Sequence, residues 1–321
     1  MNDELNISEE ISESFEAVQY NMLMLNFCET YSLIKQVLPP RNSTFAGLSN
    51  ENVIACEVIS AAICHQINWD FLRNAIYQTV IDDDTWILPE KLLKISSKKV
   101  LQILADYNKP ERIREKERSS LLRSLGKCIY DAGLDYTGIF FDNNFAVKSA
   151  EDIVCLLNCS KAFSGDPEGK KTQLLLQNLS DYEEMTALNA YCKPAIDYHI
   201  IRVFLRRGLV IPKNQIARDF ILNPNIQRRE HTVAAIRKIC ADVFSTITWL
   251  TSLDTKTINT IEWWIGRSVC TKENPDCFLK TDRAKWLTPC FDKCPFYSSC
   301  YAISCPEIMA VIEPTYQGDS Y

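Results

Sequence analysis

The chain has no apolar run approaching the roughly 20 residues that a membrane span takes, so no segment reads as one. Its first 34 residues hold seven acids and no lysine or arginine. A secretory signal begins with positive charge, so this stretch does not read as one, and a cytoplasmic, nucleoid-associated protein is expected. No internal repeat or low-complexity tract is visible, which argues against solenoids and arrays. Glycine is missing between Gly169 and Gly208, so nothing there has the glycine-rich wording of a phosphate-cradling loop. What remains is an ordinary globular composition over 321 residues, enough for one large core or two small ones.

Cysteine is the opposite case, with fourteen residues. Eight are scattered from Cys28 to Cys240, mostly in apolar helical surroundings where a buried thiol is the default. Six crowd into residues 270–305. Without a secretory signal, disulfides are not expected and a metal is favoured. Six residues separate Cys270 from Cys277, sixteen separate Cys277 from Cys294, and five separate Cys294 from Cys300. Four thiolates on short tethers suit an iron–sulfur cluster, with a zinc site as the alternative. Cys290 competes with Cys277 or Cys294 as a ligand, and Cys305 is a weaker candidate.

Hydrophobic spacing predicts a succession of helices. A helix is expected over Phe15 to Leu38. The next begins at the cap Ser49-Asn50 and runs to the turn His65-Gln66-Ile67. Others are expected over 71–80, 89–95, 97–107, from Pro110 onward, over 151–157, from Lys170 to Leu179, and over 255–264. Residues 133–149 read as a hairpin or an irregular aromatic loop. Residues 209–255 read as two or three helices. His65 reads as a hydrogen-bonded structural histidine.

The net charge of −6 argues mildly against nucleic acid, but it is unevenly spread. Residues 199–240 hold nine Lys or Arg against Asp219 and Glu230, a local net of +7. Such a region can bind phosphates, since attraction is local at physiological screening, or it can be a solvated helix face; both readings stay open.

One stretch organises the rest. Pro194 cannot sit inside a helix, and Asp197 is a good N-cap. Ile200, Ile201, Phe204 and Leu205 then recur at helical spacing, and Gly208 can close the helix. The wording Pro194-Ala195-Ile196-Asp197-Tyr198-His199-Ile200-Ile201-Arg202-Val203, followed by Arg206-Arg207-Gly208, resembles the catalytic-Asp segment of the helix-hairpin-helix DNA glycosylase superfamily, typified by endonuclease III. Asp197 falls on that family's catalytic aspartate. Gln66 matches the glutamine that enters the duplex to fill the space of the extruded base. The endonuclease III group ligates a four-iron four-sulfur cluster with cysteines spaced six, two and five apart. The outer spacings match Cys270, Cys277, Cys294 and Cys300, whose first member follows Gly266-Arg267 as in the family. The middle gap differs. So does the family's Gly-rich hairpin, replaced here by 174–182, with no Lys at the Schiff-base position near Leu179 to Asp181.

The resemblance implies an all-α, two-lobed fold: residues 1–45 as an N-terminal helix packing on the C-terminal lobe, 46–185 as a middle helical lobe, 186–265 as the C-terminal helical lobe carrying Asp197, and 266–321 as the iron–sulfur cluster region and tail. Asp197 would lie in the cleft between lobes. It also implies a monomeric, monofunctional DNA N-glycosylase of base excision repair, a hydrolase for a damaged or modified base. Arg202, Arg206 and Arg207 would grip phosphates, of DNA or RNA. Two alternatives stay open. One is an N-glycosidase acting on a free nucleoside or nucleotide. The other is a non-catalytic nucleic-acid-binding protein whose Asp197 is only a cap.

Overall fold

The computed structural model describes residues 15–17, 23–39, 45, 47–166, 169–226 and 230–312. The protein is mostly helical, and none of its described helices is long and apolar enough to cross a membrane. Its helices of eight residues or more are α1 (Leu23–Val37), α2 (Asn50–Ala62), α3 (Trp69–Asp82), α4 (Glu115–Asp131), α5 (Ala150–Asn158), α6 (Lys170–Leu179), α7 (Tyr198–Arg207), α8 (Gln215–Leu222), α9 (Glu230–Thr251) and α10 (Thr255–Trp264). Short helical turns connect them.

The chain forms two compact units. The described residues of 1–40 and 193–317 make one, and those of 41–192 make the other. The boundary falls at Cys192–Lys193, just ahead of Pro194.

In the unit of 41–192, α2 is the central helix. Ser49 caps it by accepting from the Asn52 N–H, and ten consecutive residues from Val53 to Ala62 are buried. Ala55, Ser60, Ala61 and Ala62 keep its surface low, so neighbouring helices approach closely. Glu57 is the one carboxylate in that buried run. Burial pushes its pKa up, and the ion pair with Arg73 pulls it back. Tyr182 Oη donates to Glu57 at 3.2 Å and Asn178 Nδ2 at 3.4 Å, while the Arg73 guanidinium stacks 4.9 Å from the Phe45 ring centroid. The region 133–149 is a short helix over Thr137–Phe140 followed by a single antiparallel bridge between Phe141 and Val147.

In the unit of 193–312, α7 is the buried axis. Every residue from Ile200 to Arg207 is buried, so the helix has no solvent face. Gly208 closes it at φ 74°. The helix expected over 15–38 is corrected at its start. Phe15–Ala17 is a strand, β1, pairing antiparallel with β2 (Val210–Pro212) in the register Phe15 to Pro212. The pairing satisfies backbone groups of the residues that follow Gly208, and it buries Phe15.

Arg207 leaves α7 to pair with Glu262 of α10 at 2.7 Å and 2.9 Å. Tyr31 of α1 hydrogen-bonds the same carboxylate, and the Phe296 ring lies 3.5 Å from the guanidinium carbon. Burial opposes the charge on Arg207, but Glu262 and Tyr31 outweigh it and hold the guanidinium above its ordinary pKa. Removing one partner strands a buried charge, so Glu262→Ala is expected to cost about 3–5 kcal/mol of stability in urea denaturation. A cost under about 1 kcal/mol would show that the pair is solvated.

Candidate functional site

Asp197 is the N-cap of α7, with extended backbone at φ −105° and ψ 179°. Its Oδ1 accepts the Ile200 N–H at 3.0 Å. The segment before it is pinned where the Ala195 N–H donates to Asn259 Oδ1 of α10 at 2.8 Å, a buried contact. Asp197 is half-buried, and among the described residues it forms no ion pair. So one oxygen of Asp197 holds the helix end. Lys193, three residues upstream of Ile196, is exposed beyond Pro194.

The phosphate grip expected of Arg202, Arg206 and Arg207 is corrected by the structure, because all three are buried. Arg202 Nε donates to the Cys270 carbonyl at 2.9 Å and Nη2 to the Gly266 carbonyl at 2.6 Å. Arg206 donates to the carbonyls of Thr271, Lys272 and Met309, each at 2.7 Å, and to Cys270 Sγ at 3.5 Å. Arg207 is committed to Glu262. The physical reason is backbone accounting. The segment after α10 is irregular, so its carbonyls need donors that a helix would have supplied. Arg202 and Arg206 stand four residues apart on one face of α7 and supply them. The rest of the local +7 is mixed. Arg237 is buried, Arg218 pairs with Glu307, and Lys213 and Lys238 are exposed. Arg228 and Arg229 lie outside the described residues.

α7 also meets a π-helical turn over Ile265–Val269, closed by Cys270 N–H to Ile265 O at 2.7 Å. Gly266 lets the two approach, since a Cβ there would meet His199 Cβ at 2.9 Å. This turn delivers Cys270 to a cavity. Cys277, Cys294 and Cys300 line the same cavity, together with Val203, Arg206, Arg207 and Phe296. Cys290 is exposed and outside it, and Cys305 instead lies 3.6 Å from Glu307 Oε1. The Cys294 N–H donates to the Cys277 carbonyl at 2.8 Å, tying the two arms of the sixteen-residue insert together. Cys300 Sγ donates to the Arg206 carbonyl at 3.2 Å, a second link to α7.

Among the described residues, no three His, Cys, Asp or Glu side chains are grouped so as to hold a metal ion. The four cysteines instead share the wall of one cavity. Burial pushes the Cys294 thiol up to about 12, and Cys270, Cys277 and Cys300 add to it. Cys277 and Cys300 are raised for the same leading reason. Cys277, Cys294 and Cys300 thus resist ionisation in this cavity, burial being the leading cause for each.

Gln66 belongs to the unit of 41–192. It is exposed, in the turn between α2 and α3, with left-handed backbone at φ 55°. The turn is braced from below. Arg118 donates to the carbonyls of Ile63 and His65, and Lys171 Nζ to the carbonyl of Ala62 at 3.3 Å. These are the last carbonyls of α2 and its turn, which buried cations satisfy well. His65 is buried, with Nε2 2.9 Å from Glu117 Oε1. Burial, then Arg118 and Lys171, lower its pKa to about 2, so the folded state holds it neutral.

That makes acid stability legible. Below the ordinary histidine pKa of about 6.5, the unfolded chain binds a proton that the folded chain refuses. Stability therefore falls as pH drops, by about 2 kcal/mol between pH 6.5 and 5 for this one residue. Urea titrations at both pH values should show the fall shrinking in His65→Gln. An unchanged fall would place the acid sensitivity elsewhere.

No protein-family model matches the sequence, and no curated protein matches it either. Two features escaped the sequence reading. Buried Glu57 had a signal, a lone carboxylate in an apolar run. The Arg206 contact to Cys270 Sγ had only the four-residue spacing of Arg202 and Arg206, which suits a solvated face equally well.

Proposed function

We propose that this chain is an N-glycosylase that removes a base from nucleic acid, DNA first, with Asp197 as its carboxylate. The observation that carries the reading is the double duty of α7. It holds Asp197 at its N-cap, and through Arg202 and Arg206 it holds the segment that carries Cys270. Two features 73 residues apart in sequence thus meet on one helix.

Cleaving an N-glycosidic bond develops positive charge on the sugar, which a fixed carboxylate stabilises. The oxygen of Asp197 not used for the cap can also orient a water for attack. An intrahelical base must first leave the stack, and by the family resemblance Gln66 would fill the gap. Cys270, Cys277, Cys294 and Cys300 would hold a four-iron four-sulfur cluster, which supplies a cross-link between the irregular C-terminal segment and α7. No Lys stands at the family's Schiff-base position near Leu179 to Asp181, and Lys171 is spent on the carbonyls of Ala62 and Ala162, which supports a hydrolytic, monofunctional reaction.

A second reading, an N-glycosidase of free nucleosides or nucleotides, is favoured by one observation. The three arginines expected to grip a polymer are buried. The test is base release by wild type and Asp197→Asn from modified DNA and RNA oligonucleotides and from free nucleosides. Release from the polymer supports the first reading, and release from nucleosides alone supports the second. No release from any substrate overturns both and leaves a non-catalytic binding protein.

A further inference from the structure

The insert between Cys277 and Cys294 carries surface chemistry that the glycosylase reading does not use. Phe278 directly follows a cavity cysteine and is 55% exposed. Its ring packs against Tyr297, three residues beyond Cys294, with centroids 5.4 Å apart and planes inclined at 49°. Each ring has a lysine over it. Lys280 Nζ lies 5.6 Å from the Phe278 centroid, and Lys293 Nζ lies 4.6 Å from the Tyr297 centroid. Both lysines are exposed, and neither forms an ion pair among the described residues.

The backbone is built to keep this arrangement outside. Leu279 takes a left-handed conformation at φ 52°, unfavourable for a branched side chain, and in doing so buries itself while its neighbours Phe278 and Lys280 face out. The Asp276 carboxylate holds that turn, accepting from the N–H groups of Lys280 at 2.9 Å and Thr281 at 2.6 Å. The Cys294 N–H to Cys277 carbonyl bond fixes the Tyr297 arm against the Phe278 arm.

We propose that Phe278 and Tyr297 form a stacking platform for unpaired bases of single-stranded nucleic acid, with Lys280 and Lys293 meeting the phosphates on either side. Here Phe278 is the exposed ring and Tyr297 the half-buried one that backs it; such rings flanked by ammonium groups recognise bases by their π-faces and the backbone by its charge, tolerant of sequence. The inference deepens the glycosylase reading by naming unpaired nucleotides as a contact, and it also stands for a binding protein without catalysis. It assigns polymer binding to the cysteine insert, where the buried arginines of α7 cannot supply it.

The test measures binding of a fluorescent dT12 oligonucleotide, and of a duplex of equal length, by anisotropy. Phe278→Ala is expected to weaken dT12 binding roughly 5- to 150-fold, the range of one lost stacking contact. Lys280→Gln with Lys293→Gln should reduce the log–log salt slope by about 1.4, at about 0.7 per phosphate on a single strand. Tyr297→Phe, which keeps a ring, should bind as wild type does. Iron content and melting temperature of each variant report the fold. Wild type that fails to bind dT12 at low salt, or Phe278→Ala that is folded and binds equally well, overturns the platform. Base release is assayed on the same proteins. Release without Phe278-dependent binding sinks the platform alone, and Phe278-dependent binding without release sinks the glycosylase alone.

Discussion

Cys294→Ala is expected to purify without iron and with much of the unit of 193–312 unfolded, while anaerobically purified wild type is brown with about four irons per chain. Among the four cavity cysteines, Cys294 is the thiol most strongly pushed toward its neutral form, by burial first, with its three neighbours adding to it. On the proposed cluster reading a positive centre would remove that penalty, and metal binding and folding would be one equilibrium. Cys270, Cys277 and Cys300 variants should behave alike, since they line the same cavity. Cys290→Ala should keep both iron and fold, because Cys290 is exposed and outside the cavity. Elemental analysis and circular dichroism of the five variants decide the matter. Stoichiometric zinc in a colourless wild type would replace the cluster with a zinc site. Loss of metal in Cys290→Ala would rewrite the ligand set.

Asp197→Asn should lose base release by at least about 100-fold while keeping fold and metal. The expectation separates two roles of one side chain. As a cap, Asn serves nearly as well as Asp, because its amide oxygen accepts the Ile200 N–H in the same way. As an electrostatic stabiliser it fails, because the amide is neutral. Melting temperature should therefore move little while turnover collapses. Full activity in Asp197→Asn would reduce Asp197 to a cap and remove the glycosylase reading. Borohydride during wild-type turnover should trap no protein–nucleic acid adduct, since a Schiff base needs an amine of lowered pKa beside the sugar. Efficient trapping that disappears in Lys193→Ala would restore a lyase mechanism.

Local chemistry was legible in the residues themselves. Pro194, Asp197, the apolar spacing through Leu205 and Gly208 define α7 from cap to cap, because capping and φ preferences act within a turn or two. Lys170–Leu179 is readable for the same reason. The outer cysteine spacings, too, are properties of short tethers.

Which way a polar side chain faces was decided only by the tertiary structure. Arg202, Arg206 and Arg207 carry the signature of a solvated, phosphate-binding face, yet they point at carbonyls, at Cys270 Sγ and at Glu262. Periodicity shows that one face of a helix differs from the other. It does not show what lies against that face, and here an irregular segment some 65 residues later brings carbonyls that must be satisfied. The same holds for Cys277 and Cys294 over Cys290. Their spacing allowed several ligand sets, and the fold of the insert, closed by Cys294 N–H on the Cys277 carbonyl, turned Cys290 outward. Phe15–Ala17 is the plainest case. Its residues continue a helical pattern, but β2 offers unpaired backbone groups, and a hydrogen-bonded partner distant in sequence outweighed the local preference.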